Sequence, residues 1–247
     1  MNKPMLAFEI EPPSFLSYLF KSACAESRSE EEFLKEAKLV IQYSDLIRIS
    51  EALPEQPYLS SLTSLGVLRR AGLGDVKTMC SIRATEMNLN ALIQHIGEAF
   101  LYRCDYLVLE GSFEEGRDIS KVIEAYTAVK NLGLTTHIKI GLEVHARNRA
   151  LVSECVKAEP SFLILRILGM DEVEEGLWKD LASPLPLFIR LPMFDLTGLG
   201  LMSNIAIEAV SEAVSKMLSD GLNVIIAAPH GFEEAFAVLK RVRGEAL

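Results

Sequence analysis

The nine residues His137-Ile138-Lys139-Ile140-Gly141-Leu142-Glu143-Val144-His145 alternate without a break. Every even position is aliphatic, and the odd positions carry His, Lys, Gly, Glu and His. Successive side chains of a β-strand point to opposite faces, so this stretch reads as a strand with one greasy face and one that turns polar towards its C-terminal end. The same phase recurs in Leu6-Ala7-Phe8-Glu9-Ile10-Glu11, in Leu46-Ile47-Arg48-Ile49-Ser50 and in Leu163-Ile164-Leu165-Arg166. A segment of this kind needs apolar cover on one side and polar partners on the other.

Followed along the chain, the pattern predicts eight strands, each succeeded by a helix. The strands are expected at Met5 to Glu11, Leu46 to Ser50, Val76 to Ile82, Tyr106 to Glu110, His137 to Val144, Phe162 to Arg166, Leu187 to Arg190 and Asn223 to Ala227. Pro12-Pro13 closes the first, because proline cannot continue a ladder. Helices are expected at Glu30 to Gln42 (with Ser29 as N-cap), Ser60 to Ala71, Asn88 to Tyr102, Ile119 to Leu132, Arg147 to Lys157, Val173 to Leu181, Ile205 to Ser219 and Phe232 to Arg243, with a shorter one at Ser14 to Ala23. Strands alternating with helices through short loops pair in parallel. Eight such units in 247 residues, with no linker or composition break, predict a single α/β domain, a (β/α)8 or TIM barrel spanning 1–247.

Composition narrows the function. A formal net charge of -9 argues against nucleic-acid binding, which wants a basic face. No apolar run approaches the ~20 residues that cross a bilayer. Met1-Asn2-Lys3-Pro4 leads directly into the first strand, so no signal peptide and a cytoplasmic location are expected. Cys24, Cys80, Cys104 and Cys155 are scattered without metal-ligand spacing, which predicts reduced thiols and no metal site.

The phase of the alternation sorts the inner face. Glu9 and Glu11 belong inside or on the rim, with Arg48, Ser50, Ser81, Arg83, Glu110, Lys139, Glu143, His145, Arg166 and Arg190. Buried charge is costly unless paired, so such a ring either neutralises itself through internal bridges or holds a polar ligand. Arg48, Arg83, Arg166 and Arg190 offer forked donors suited to carboxylate or phosphate, which points to a small anionic substrate contacted by these arginines and Glu110. Glu9, one step inside the rim, is a candidate general acid if desolvation raises its pKa. His145 can act as acid, base or donor. Lys139 can form a Schiff base if a dry pocket surrounds it, or else an ion pair with Glu143 or Glu110. His95 reads as packing within its helix, and His230 and Gly198-Leu199-Gly200 are weaker rim and loop candidates.

Phe8-Glu9-Ile10-Glu11-Pro12-Pro13 resembles the first-strand F-E-F-F-P-P motif of methylenetetrahydrofolate reductases, flavin-dependent (β/α)8 barrels of one-carbon (folate) metabolism. Ser81-Ile82-Arg83-Ala84-Thr85 is similar to that family's C-I-D-A-T, Leu109-Glu110-Gly111-Ser112 to L-R-G-D, Glu143-Val144-His145 to the end of Y-P-E-V-H, and Leu191-Pro192-Met193 to I-L-P-V. The resemblance implies an oxidoreductase in which Glu9 protonates a pterin. It implies that Ser50, Ser112 and His145 contact a flavin, FAD.

Departures from the family pattern qualify what the resemblance implies. The family's arginine and aspartate in L-R-G-D are Glu110 and Ser112, the pterin-binding glutamine matches Arg166, and the flavin-phosphate lysine aligns near Cys155. These changes imply weaker flavin binding, a different cofactor, or none. Three readings stay open: a methylenetetrahydrofolate reductase-like enzyme acting on a pterin-like substrate, another barrel enzyme for an anionic small molecule such as a Schiff-base aldolase using Lys139, and a non-catalytic homologue serving as a partner subunit or ligand-binding module. Self-association to a homo-oligomer is equally open.

Overall fold

The computed structural model describes residues 3–14, 28–51, 58–111, 119–169, 172–173, 176, 178, 185–192, 204–227 and 232–245. Its centre is a closed barrel of parallel strands in chain order. These are β1 (Leu6–Ile10), β2 (Leu46–Ile49), β3 (Thr78–Arg83), β4 (Tyr106–Glu110), β5 (Lys139–His145), β6 (Phe162–Arg166), β7 (Leu187–Pro192) and β8 (Asn223–Ala227). β8 closes onto β1 through the register Leu6 with Val224 to Glu9 with Ala227. Among the described residues the surrounding helices are α1 (Glu30–Val40), α2 (Ser61–Arg70), α3 (Leu89–Leu101), α4 (Ile119–Asn131), α5 (Arg149–Lys157), α6 (Asn204–Ser219) and α7 (Phe232–Val242). None is long and apolar enough to cross a membrane.

Local chemistry sets the element ends. Ser29 caps α1 in a reciprocal box: its hydroxyl accepts from the Glu32 N–H at 3.1 Å, and the Glu32 carboxylate accepts from the Ser29 N–H at 2.8 Å. β5 begins two residues later than its periodicity predicts. A 3-10 turn at Leu134–Thr136 precedes it, and the His137 N–H still donates to the Leu134 carbonyl. The helix expected at Ser14 to Ala23 lies outside the described residues apart from Ser14, which bridges Tyr58. Most of the helix expected at Val173 to Leu181 is outside them too.

Alternation divides the apolar residues into two separate cores. Outward residues such as Phe8, Ile47, Cys80, Leu107, Ile140 and Leu163 pack beneath the helices. Inward residues Ala7, Leu46, Met79, Val108, Phe162, Ile164, Phe188 and Ile225 fill the barrel, with Met5 and Tyr106 at its N-terminal end. There Tyr106, Phe162 and Phe188 meet edge to face, with centroids 5.5, 6.1 and 5.5 Å apart. Gly141 makes room for this floor, since a Cβ there would lie 2.3 Å from the Phe162 ring. Above the aliphatic middle tier, the inner face becomes ionic.

Candidate active site

The ionic tier is built from residues one step further along the same strands. Glu9 on β1, Arg48 on β2, Ser81 on β3, Glu110 on β4, Glu143 on β5 and Arg190 on β7 converge across the barrel axis. Arg48 is 1% exposed and is shared: its Nη2 donates to Glu143 at 2.5 Å and to Ser81 Oγ at 3.1 Å, and lies 3.4 Å from Glu110. Its Nε is 3.4 Å from Glu9. Arg190 donates from Nε and Nη2 to the two Glu9 oxygens, each at 2.7 Å, and its Nη1 lies 3.5 Å from Glu143. The Glu–Arg bridges expected on the inner face are therefore present.

Sharing two guanidiniums unevenly pulls the three carboxyls apart. Burial pushes Glu9 up, but Arg190 and Arg48 outweigh it and hold its pKa below the ordinary 4.5. Burial is likewise overcome at Glu143, which Arg48, Arg190 and Arg166 bring down to about 2. At Glu110 burial prevails: with the repulsion of Glu143 added, it carries the carboxyl up to about 7 against the pull of Arg48 and Arg190. The raised pKa expected for Glu9 from desolvation is thus corrected. Glu9 is a carboxylate held by two arginines, and Glu110 is the member poised to exchange protons near neutral pH.

His145 ends β5 on the same inner face as Glu143 and is the register partner of Arg166 on β6. Its Nδ1 accepts the backbone N–H of Arg147 at 3.3 Å. Arg147 in turn pairs through Nε with the fully buried Glu172 at 2.6 Å, and Glu172 accepts the Leu168 N–H at 3.0 Å. This clamp joins the turns that follow β5 and β6. Arg166 and Arg190 are register partners, so His145, Arg166 and Arg190 run side by side along the rim.

Other expected residues fall elsewhere. Arg83 ends β3 as the register partner of Glu110, yet its Nη1 pairs with Glu86 at 3.3 Å, one turn onward. Ser50 follows β2 at the rim, its N–H donating to the Ile10 carbonyl at 3.4 Å. Glu11 stands 3.8 Å from Arg28 and outside the central cluster. Lys139 opens β5 at the opposite mouth, exposed, with its amine 4.9 Å from the Tyr106 ring centroid. The dry pocket that a Schiff-base role requires is absent there, and neither Glu143 nor Glu110 is its partner. His95 is half-buried on α3, with Nδ1 3.1 Å from Glu98. Ser112, His230 and Gly198 to Gly200 lie outside the described residues.

A flavin phosphate needs a cation where the resemblance aligns its lysine. Cys155 there is fully buried in the helical layer, with its thiol pushed up to about 12 by burial. It supplies no positive charge, so the residues at this point do not fit a flavin-phosphate anchor. Sequence reasoning placed Glu143 and Ser81 on the inner face, with Glu143 as a possible partner of Lys139 and no part for Ser81. Glu143, like Glu9, is a carboxylate that both central arginines share, and its spacing two residues before His145 was the available signal.

Comparison with known proteins adds the fold. No protein-family model and no curated protein matches the chain. Among solved structures, it is similar to N-acetylneuraminate lyase from Mycoplasma synoviae, with a TM-score of 0.59 and 11% identity over 98% of this chain and 72% of that one. It is similar to 3-keto-L-gulonate-6-phosphate decarboxylase from Vibrio cholerae, with 0.56 and 13% over 98% of both chains. A third, 7,8-dihydropteroate synthase from Vibrio fischeri, gives 0.55 and 14% over 98% of this chain and 93% of that one. At such identities the likeness establishes the (β/α)8 barrel and nothing more specific.

Proposed function

We propose that this barrel is an enzyme that binds a small anionic molecule at the C-terminal rim and moves a proton with Glu110. The observation that carries this reading is the division among the carboxyls: Glu143 at about 2 and Glu110 at about 7 share one arginine. A carboxyl near the working pH both gives and takes protons efficiently. Arg166, beside His145 at the rim, supplies forked donors for carboxylate or phosphate. By analogy of fold, the reading is supported by neighbours named as enzymes of small molecules, a phosphorylated keto acid among them. The test is thermal unfolding with a panel of phosphate, citrate, sugar phosphates and a pterin acid. Binding at a hundred times Kd stabilises by about 2.7 kcal/mol. Anions should raise Tm, and Arg166→Met should abolish the rise. A panel without effect, or a rise that survives Arg166→Met, would overturn the reading.

A methylenetetrahydrofolate reductase-like activity is the second reading. It is supported by Glu9, Glu110 and His145 lying near the C-terminal ends of β1, β4 and β5, in the strand-end motifs of the resemblance. In such an enzyme Glu110, rather than Glu9, would hold the exchangeable proton. Absorbance of the purified protein in the flavin bands, before and after titration with FAD, tests it.

A further inference from the structure

We infer that the anion enters between Arg190 and Glu110 and is bound together with one proton, which Glu110 holds in the complex. This deepens the proposed function and rests on its anion reading. The first observation is which members of the ionic tier are open. Side-chain exposure is 1% at Arg48 and 6% at Glu9 and Glu143, but 13% at Arg190 and 20% at Glu110. The two open members are linked through the buried ones. Glu110 Oε2 lies 3.4 Å from Arg48 Nη2, the same nitrogen meets Glu143 Oε2 at 2.5 Å, and Glu143 Oε1 lies 3.5 Å from Arg190 Nη1. Arg190 spends Nε and Nη2 on Glu9, which leaves Nη1 as its arm towards the mouth. Among the described residues, Arg48 is the only partner of Glu110, so one of its oxygens is uncommitted.

The second observation is the balance of charge. Glu9 and Glu143 are held as carboxylates and Arg48 and Arg190 as cations, so these four cancel. Glu110 alone sets the sign of the tier, which is neutral with its proton and carries one negative charge without it. An anion arriving beside an ionised Glu110 meets a like charge in a poorly hydrated place. Beside the protonated acid it meets an O–H donor, and an oxyanion accepts from that O–H and from Arg190 Nη1–H together. The tier is also short of acceptors, since Arg48 Nε and Nη1 are buried without a hydrogen bond; a cation or amine would only add donors. Burial and Glu143 carry the Glu110 carboxyl up to about 7, so the proton is exchanged with solvent in the neutral range. The groups facing it are Glu9 on β1, Arg48 on β2, Arg83 on β3, Glu143 on β5 and Arg190 on β7, with His145 further along β5 and Arg166 acting on Glu143 from β6. Of these only His145 is of a type that titrates between pH 6 and 8.5 as Glu110 does. The bound complex therefore begins its chemistry with Glu110 as an acid.

The experiment is titration calorimetry with 2-oxobutyrate and with sulfate, probes whose own charge is fixed between pH 6 and 8.5. Affinity should fall about 30-fold from pH 6 to pH 8.5, as expected for one proton on a carboxyl near 7. Heats compared in HEPES and Tris at pH 8 should show uptake of about one proton per anion. Glu110→Gln should bind as tightly at pH 8.5 as at pH 6, without proton uptake, whereas His145→Gln should keep the slope. Arg190→Lys retains a cation for Glu9 but loses the second arm, and should weaken binding at pH 6 by ~10-fold or more. Tm of each variant establishes that it is folded; should Arg190→Lys not fold, the Glu110→Gln result decides alone. Anion binding that is flat in pH, a slope that survives Glu110→Gln or vanishes in His145→Gln, or undiminished binding in folded Arg190→Lys overturns the inference and leaves the anion reading standing. Failure of both probes to bind overturns it as well. The anion reading then stands if another anion of the panel stabilises the protein through Arg166, and fails if none does.

Discussion

Arg190 grips Glu9 with two arms of its guanidinium, Nε and Nη2 each 2.7 Å from a different carboxylate oxygen. The pair joins β7 to β1 across β8, so it spans the seam where the barrel closes. Breaking a buried pair from one side costs about 3–5 kcal/mol, because the other charge is left uncompensated. Glu9→Gln should therefore lower stability by that order in urea unfolding, with an unchanged m-value. Adding Arg190→Gln should cost less than the sum of the two single changes, since the residues are in direct contact. An unaltered urea midpoint for Glu9→Gln would refute the pairing.

Glu110 makes a prediction in pH. Its carboxyl is raised from 4.5 to about 7, so between these values the folded chain holds a proton that the unfolded chain has released. This contribution is fully present below pH 4.5 and is lost as pH rises through 7, by on the order of 3 kcal/mol. Glu143 acts oppositely: lowered to about 2, it stabilises the fold above 4.5 and loses that contribution as pH falls towards 2. Arg48, Arg190, Glu143 and Glu9 all face Glu110, and Glu110→Gln leaves them in place. The stability difference, Glu110→Gln minus wild type, should thus be near its minimum at pH 5 and grow by that order at pH 8. A difference that is flat in pH would show that Glu110 has an ordinary carboxyl.

Gly141 is required by the aromatic floor. An added methyl would press to within 2.3 Å of the Phe162 ring, which Tyr106 and Phe188 already contact with centroids 5.5 Å away. Overpacking of this kind costs about 1–3 kcal/mol or more. Gly141→Ala should fall in that range by urea unfolding, and Phe162→Leu in the same chain should recover part of the loss. Full stability of Gly141→Ala alone would contradict the packing described.

Lys139 should prove inert. It lies at the N-terminal mouth, exposed, away from the ionic tier. Borohydride with 2-oxobutyrate should leave no adduct at residue 139 by mass spectrometry, and Lys139→Met should not change anion binding. A stable adduct there would restore the Schiff-base reading.

Much of this was legible in the alternation itself. Phe162–Arg166 and Asn223–Ala227 are strands with the bounds their pattern predicts, and Glu9, Arg48, Glu110 and Arg190 share the inner face that their phase assigns. β3 starts two residues later than expected for a reason periodicity does not carry. The Arg69 guanidinium binds the Val76 carbonyl at 3.2 Å and Thr78 Oγ1 at 3.1 Å, holding the preceding segment out of the ladder. The proton state of Glu9 was illegible for a related reason. Desolvation follows from local pattern, but the arginine that reverses its effect is 181 positions away. Arg83 keeps the inward phase its pattern assigns, as the register partner of Glu110, and its pairing with Glu86 was not legible because that residue sits just beyond the strand, in a 3-10 turn.

The floor of Tyr106, Phe162 and Phe188 gives proton traffic in this barrel a direction. Phe162, Phe188 and aliphatic side chains fill the barrel below the ionic tier and carry no proton to relay along its axis, while the Tyr106 hydroxyl at the N-terminal end donates to Met5 Sδ at 3.9 Å. Bulk water on the N-terminal side is thereby insulated from Glu110, which must load and unload from the rim, through water there or through the molecule bound to it. The barrel is a cul-de-sac: solvent and ligand reach Glu110 from the same rim.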